Sequence, residues 1–449
     1  MEKKKSNLPF SVVYGYGLGE FGYNFFITFL AYYLLVFLQQ IAGFNPTMAA
    51  TIFTFTTVIK WVTMPIAGSI IDSTQLKGGQ YRPWLLIGSL MMVVGGTLCF
   101  TRLMAPGVGY AIVYLVCFFV CYLGYSLMWV SYRGLMDPMC TDPADKVSLS
   151  TASAALGALA RIFYVFGAVT LVQSFSDPAK GYSVVGLLFT VIIFLCMLAV
   201  SAITKKYDNA ELRAAAAQKA PAQKLTLKDI ANTIGTKPML IYSLTMLFRI
   251  SVIAIVPTLL VYYLTYVLND YSIMVPYMMV SYFVSFIGAL VVKPITTKLG
   301  KKPTFIITTL ISAAFLILAR FITGKVAFTA VMSLWQFTGI FASSLVPAFM
   351  ADIAEYSRLT KGGRAAGMVY SVGGLVVQLG SFFGGIIASF GQVVVGFDAN
   401  NPTPAGISGL AALMTFGAAA VSIIAALIFM LYPLTEKYME KLREEHKEA

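Results

Sequence analysis

Residues 181–203 read GYSVVGLLFTVIIFLCMLAVSAI, residues 204–237 read TKKYDNAELRAAAAQKAPAQKLTLKDIANTIGTK, and residues 238–267 read PMLIYSLTMLFRISVIAIVPTLLVYYLTYV. At about 1.5 Å per residue, each outer run is long enough to cross a hydrocarbon core of about 30 Å as a helix. The basic, Ala-rich middle segment cannot do so. The same alternation continues outward in both directions. Breaks at charge runs and at Pro, Gly, Asn or Asp clusters predict twelve spans, at 10–39, 47–72, 83–103, 108–133, 149–174, 181–203, 238–267, 272–297, 303–321, 326–351, 365–392 and 405–432. Six precede the polar segment and six follow it. The expected fold is an all-α membrane protein with an amino-terminal six-helix half (1–203), a linker (204–237), a carboxy-terminal six-helix half (238–432) and a tail (433–449).

Composition excludes a soluble chain: 58% of the 449 residues are apolar, 11% are charged, and mean hydropathy is +0.80. The charges also set an orientation, because cytoplasmic loops collect Lys and Arg. Of 32 bases, twenty-three fall on one side of the predicted spans, four on the other and five inside. Both termini and the linker are therefore expected on the cytoplasmic face of the cell (inner) membrane. That distribution accounts for the net charge of +13 without a nucleic acid partner. The KKK start leads into a span too long for the core of a cleavable signal, so the first helix is expected to act as the export signal itself.

Soluble-enzyme motifs fail their structural conditions. GLGEFG (17–22) matches GxGxxG but lies inside an apolar helix with no strand before it, so its glycines suit close helix packing instead. No Walker-type phosphate loop occurs. Five cysteines and one histidine have no ligand spacing and imply neither a metal site nor a disulfide framework, and no cofactor is expected.

Charges at mid-depth carry the functional signal. Lys60, Arg161 and Arg249 lie eleven to thirteen residues into their spans, roughly 16–20 Å from a membrane face. Only one acid, Glu20, sits comparably deep. Ionisable groups in hydrocarbon are costly and persist mostly where they face a wet cavity, a partner or a ligand, so this imbalance favours an anion. Each has a bland alternative. Glu20 and Lys60 suit a structural pair between consecutive helices, and Arg161 and Arg249 suit capping of backbone carbonyls. Arg133 and Lys293, near span ends, suit interface anchoring as well as a cavity. The aromatic set Tyr23, Trp61, Trp129, Tyr132, Tyr262 and Tyr370 suits packing and the interface belt, with Trp129 and Tyr132 also candidates for stacking on a ligand ring.

Three stretches, YGLGEFGYNF (16–25), PIAGSIIDSTQLKGGQYRPWLLIGSL (65–90) and ADIAEYSRLTKGGRAAGMVYSVGGLVVQLGSFFGG (351–385), resemble the glycoside-pentoside-hexuronide:cation symporters, the melibiose-permease-like branch of the major facilitator superfamily. The resemblance implies a secondary transporter with a major facilitator fold that binds its substrate at mid-membrane between two halves. It also implies a coupling Na⁺, H⁺ or Li⁺ on carboxylates of the first two helices. This chain departs from that pattern. Asn24 stands at a sugar-binding aspartate of melibiose permease, and Lys60 and Met64 stand at two cation-site aspartates. Trp129 stands at a second sugar-binding aspartate, Gln378 at a functional lysine, and Arg161 two turns beyond a functional arginine.

The expected substrate is consequently a small anionic sugar or glycoside of uronide type, held by Asn24, Lys60, Trp129, Tyr132, Arg161, Arg249 and Gln378. Coupling is expected through Glu20 or Lys60, with H⁺ or by facilitation and without Na⁺. A monomer in the lipid bilayer is expected. The alternatives are a cation symporter of a neutral glycoside, a carrier of lysolipids or other organic anions, and a non-transporting sensor or scaffold.

Overall fold

The computed structural model describes residues 8–74, 76, 78–140, 143–208, 235–361 and 364–445. Among them, regular structure is helical throughout. Helix starts follow from local chemistry. Asn45 caps α2 (Pro46–Ser73) by accepting a bond from the Met48 amide at 2.8 Å, and Asp177 does the same for α6 (Pro178–Ile203) through the Ala179 amide. Thr403 accepts from the Gly406 amide at the start of α12, which runs Pro404–Ala412 and continues through a π turn, Leu413–Gly417, into Ala418–Met430. At all three, proline occupies the first turn, where its missing N–H costs nothing.

The other long helices are α1 (Phe10–Val36), α3 (Arg82–Cys99), α4 (Val108–Gly134), α5 (Pro143–Gln173), α7 (Lys237–Tyr262), α8 (Met274–Leu299), α9 (Lys301–Ala319), α10 (Lys325–Lys361) and α11 (Arg364–Val394). A short α13 (Glu436–Glu445) follows. Twelve helices among the described residues are long and apolar enough to cross a membrane. Their outer faces stay apolar: Leu195 and Phe283 are 57% and 65% exposed. Such side chains are at home in lipid and out of place in water.

Span ends agree with those expected to within a few residues, with two differences. α5 starts at Pro143, and α10 runs on to Lys361 where a turn was expected after 351. The extension is a polar continuation of the helix, pinned by Asp352 to Lys301 and by Glu355 to Arg443 of α13, the latter at 2.8 and 2.7 Å.

The chain divides into two compact units, Met1–Ala222 and Gln223–Ala449. Residues 209–234 of the expected linker lie outside the described residues. In the first unit, α3 and α4 meet at glycines: a Cβ on Gly88 would lie 2.5 Å from the Gly124 carbonyl, and one on Gly124 would lie 2.6 Å from that of Gly88. Small residues let backbones approach where no hydrophobic driving force separates protein from lipid. The turn before α3 is clamped by Asp208, which accepts from the amides of Gln80, Tyr81 and Arg82 at 2.8–2.9 Å. In the second unit, Gly380 and Gly384 of α11 seat against α7, where Ser251 donates to the Gly380 carbonyl. Between α7 and α8, outside the spans, Asp270 pairs with Lys325. That pair and the Ser272 donors hold its carboxyl down at about 2, so it stays ionised even where an ordinary carboxylate would take up a proton.

Candidate functional site

The GLGEFG glycines explain how a carboxylate comes to lie where α1 meets α4, α5 and α6. Each faces a different neighbour. A Cβ on Gly17 would strike Leu156 and the Ala152 carbonyl of α5, one on Gly19 would strike the Tyr132 ring of α4, and one on Gly22 would strike Cys196 and Ile193 of α6. With α4, α5 and α6 drawn close, Glu20 is the one ionisable side chain in the motif.

Its partner is Arg133, at 2.5 Å from Glu20 Oε1. The structural pair weighed between Glu20 and Lys60 does not form, because α4 supplies the arginine and Lys60 turns elsewhere. Arg133, weighed between interface anchoring and a cavity, makes this pair with its side chain 46% exposed. Its guanidinium lies over the Trp129 ring at 4.4 Å, and Tyr23 is stacked on Trp129 at 4.4 Å. Arg161 of α5 joins the same cluster: its Nη1 donates to Asn24 Oδ1 at 3.1 Å, while Asn24 Nδ2 donates to the Glu20 carbonyl at 2.7 Å. The charges of Arg133 and Arg161 both act on the Glu20 carboxylate.

Tyr132 is placed differently from the expectation of a stacking surface. It is fully buried, stacked on Tyr16 at 4.5 Å, with each hydroxyl donating to the other residue's carbonyl. It fixes α4 against α1 and so positions Arg133, which is the next residue. Lys60 projects from α2 toward α4, its Nζ 5.3 Å from the Tyr122 ring centre and 5.8 Å from that of Phe118. The aromatic faces take up the ammonium by cation–π attraction. No acid pairs with it among the described residues. The two rings belong to a stripe along α4, Tyr114, Phe118, Tyr122, Tyr125 and Trp129, at helical spacing, which sequence reading missed although the period of three and four was legible.

The second unit offers a separate cationic point. Arg249 of α7 is 8% exposed and donates through Nη2 to the Gly339 carbonyl at 3.0 Å and to Ser343 Oγ at 2.6 Å, both on α10. This is the carbonyl capping weighed for it. The capping uses one nitrogen, and among the described residues Nε and Nη1 have no hydrogen-bond partner. Gln378 lies exposed on α11 with no hydrogen bond among the described residues. The side chains of Lys293 and Tyr370 lie outside the described residues. Among those described, no group of three or more His, Cys, Asp or Glu gathers as a metal site.

Apolar spans in two units, with a part-buried cluster of opposed charges in one of them, mark a multi-pass membrane transporter rather than an enzyme. The profile of the MFS/sugar transport protein family matches residues 15–436, and the chain belongs to that family. An "Uncharacterized symporter YjmB" of Bacillus subtilis (strain 168) is 29% identical, the match covering 94% of this chain and 92% of that one. A "Glucuronide carrier protein homolog" of Escherichia coli (strain K12) is 25% identical (97% and 95% covered), and a "Putative sulfoquinovose importer" of the same organism is 26% identical (96% and 92%). Among solved structures, the nucleoside transporter NupG superposes with a TM-score of 0.65 at 13% identity, covering 95% of this chain and all of that one, a likeness of fold.

Proposed function

We propose that this sugar transporter imports a small anionic sugar or glycoside, of uronide or glucuronide type, by alternating access and without Na⁺, either with a proton or as a facilitator. The observation that carries the reading is the excess of positive side chains within the spans. Arg133 and Arg161 act on a single carboxylate, Lys60 rests on aromatic faces in place of an acid, and Arg249 keeps two nitrogens without a partner among the described residues. A carboxylate or sulfonate offers the paired oxygens that a guanidinium edge engages at two points. Trp129, with the Arg133 guanidinium over its ring and Tyr23 stacked on it, offers an aromatic surface beside Arg133. The names of the glucuronide and sulfoquinovose relatives support an anionic cargo. The fixed ammonium of Lys60 supports independence from Na⁺, because it would repel a metal cation. The distribution of bases supports cytoplasmic termini in an inner membrane.

Uptake of a radiolabelled uronide by cells expressing the chain tests this reading. An unlabelled uronide is expected to compete better than the matching neutral sugar, and replacing Na⁺ at constant pH is expected to leave the rate unchanged. Equal competition by the neutral sugar would overturn the anionic substrate. Severalfold stimulation by Na⁺ would overturn the coupling.

A further inference from the structure

We propose that α10 reads the sugar beside the anion: with the substrate's carboxylate on the free Nε and Nη1 edge of Arg249, a ring hydroxyl donates to the main-chain carbonyl of Ser343, which Pro347 leaves without its helical donor. This inference rests on the anionic-substrate reading and assigns Ser343 and Pro347 to specificity for hydroxylated ring acids over bare ones. Pro347 lies inside α10. It has no N–H, so the carbonyl four residues earlier, that of Ser343, receives no intrahelical bond from it, and the proline ring pushes that carbonyl off the helix axis. Ser343 and Pro347 are both exposed. Their face is the one turned from lipid: Leu334, an apolar side chain 41% exposed on the same helix, lies nine residues before Ser343, about two and a half turns, and so on the opposite face. Gln336 lies seven residues before Ser343, about two turns and hence on the same face, half-buried and with no hydrogen bond among the described residues.

Arg249 places the anion beside this carbonyl. α7 packs chiefly on α11 and α12, α10 packs chiefly on α8 and α9, and the guanidinium spans from one set to the other. Its Nη2 donates to Ser343 Oγ and to the Gly339 carbonyl, and Ser343 Oγ in turn donates to that same carbonyl at 3.1 Å. The Ser343 side chain thus sets the guanidinium, while its main-chain carbonyl stays available. One helical turn, about 5.4 Å, separates the Gly339 carbonyl from that of Ser343, a step that a single pyranose can bridge between its carboxylate and a ring hydroxyl. The two contacts are complementary in kind. A guanidinium has donors and no acceptor, so it holds the carboxylate but cannot receive a hydroxyl proton, which the freed carbonyl can. A ring acid without hydroxyls leaves that carbonyl unpaired in a site closed to water, and such an unpaired group is what separates a hydroxylated ligand from its bare analogue.

Binding to the purified full-length protein, with glucuronate, tetrahydropyran-2-carboxylate and methyl glucoside as probes, tests the assignment. Tetrahydropyran-2-carboxylate keeps the ring and the acid of glucuronate and lacks its hydroxyls. Wild type is expected to bind glucuronate about tenfold more tightly than this bare acid. Pro347→Ala returns an amide to the Ser343 carbonyl, and is expected to lower glucuronate affinity about tenfold while leaving the bare acid unchanged. Ser343→Ala removes the hydroxyl that sets Arg249 but not the carbonyl, so both acids are expected to weaken together. Pro257→Ala, the corresponding change inside α7, alters a helix without touching this carbonyl and is expected to preserve the ratio of the two acids. Equal binding of the two acids by wild type, or an equal loss of both in Pro347→Ala, overturns the assignment and leaves the anionic reading standing. Tighter binding of methyl glucoside than of either acid overturns both. Should Pro347→Ala fail to fold, wild type decides the matter. Ser343 and Ser344 form the one Ser-Ser pair in the chain, so serine labelled with ¹³C at the carbonyl and ¹⁵N at the amide reports this carbonyl alone by solid-state NMR. Glucuronate must shift that resonance and the bare acid must not; a resonance that glucuronate leaves in place, or that both acids move equally, overturns the proposal.

Discussion

Arg249 shows what one buried side chain can do in two directions at once. Its Nη2 ties α7 to Gly339 and Ser343 of α10, while Nε and Nη1 keep their donors. Arg249→Lys retains the charge and can still cap a carbonyl, but it cannot present a planar edge to a carboxylate. If Arg249 engages the anion, glucuronate affinity, read by ligand-induced thermal stabilisation of the purified protein, is expected to fall about tenfold, or about 1.4 kcal/mol; unchanged affinity would show that Arg249 does not bind the anion. That Arg249, Arg161 and Lys60 fall within spans was legible in the sequence, because span limits follow from hydropathy. The partner of Glu20 was not. Arg133 lies in the last turn of α4, where its position along the helix suits anchoring equally well, and only the direction of its side chain separates the two roles.

At the scale of the helix, the first unit depends on close approach. The α3–α4 seam brings Gly88 and Gly124 backbones together with no room for a side chain, whereas a Cβ on Gly68 of α2 would meet nothing within 4 Å. Gly88→Val is expected to lower the thermal unfolding midpoint of the purified protein, a destabilisation of about 1–3 kcal/mol from overpacking. Gly68→Val is expected to leave the midpoint nearly unchanged, and equal effects would show that the seam is not what the substitution disturbs. The packing role of the GLGEFG glycines was legible from their setting in an apolar helix. Their division of labour among α4, α5 and α6 required the packed structure. The same holds for Asp208, which clamps the turn before α3 from more than 120 residues away in sequence.

For the whole molecule, the topology is a statement about charge. Twenty-three of 32 bases fall on one side of the spans and four on the other, so residues 205–237 are expected inside the cell and the 104–108 turn outside. In a background with the five native cysteines replaced by alanine, Ala215→Cys is expected to react with a membrane-impermeant thiol reagent only in inverted vesicles, and Gly107→Cys only in intact cells. The opposite pattern would reverse the orientation. The sequence by itself determined the number of spans, since this depends on hydropathy along the chain alone. The tertiary structure decided which of these side chains meet: Glu20 with Arg133, Asn24 with Arg161, Lys60 with two rings, Arg249 with α10. The reason is rotational. Lipid and protein interior are about equally apolar, so a helix that is apolar all round carries little signal of which way each face turns, and that angle is settled only when glycine seams and polar contacts lock the helices together.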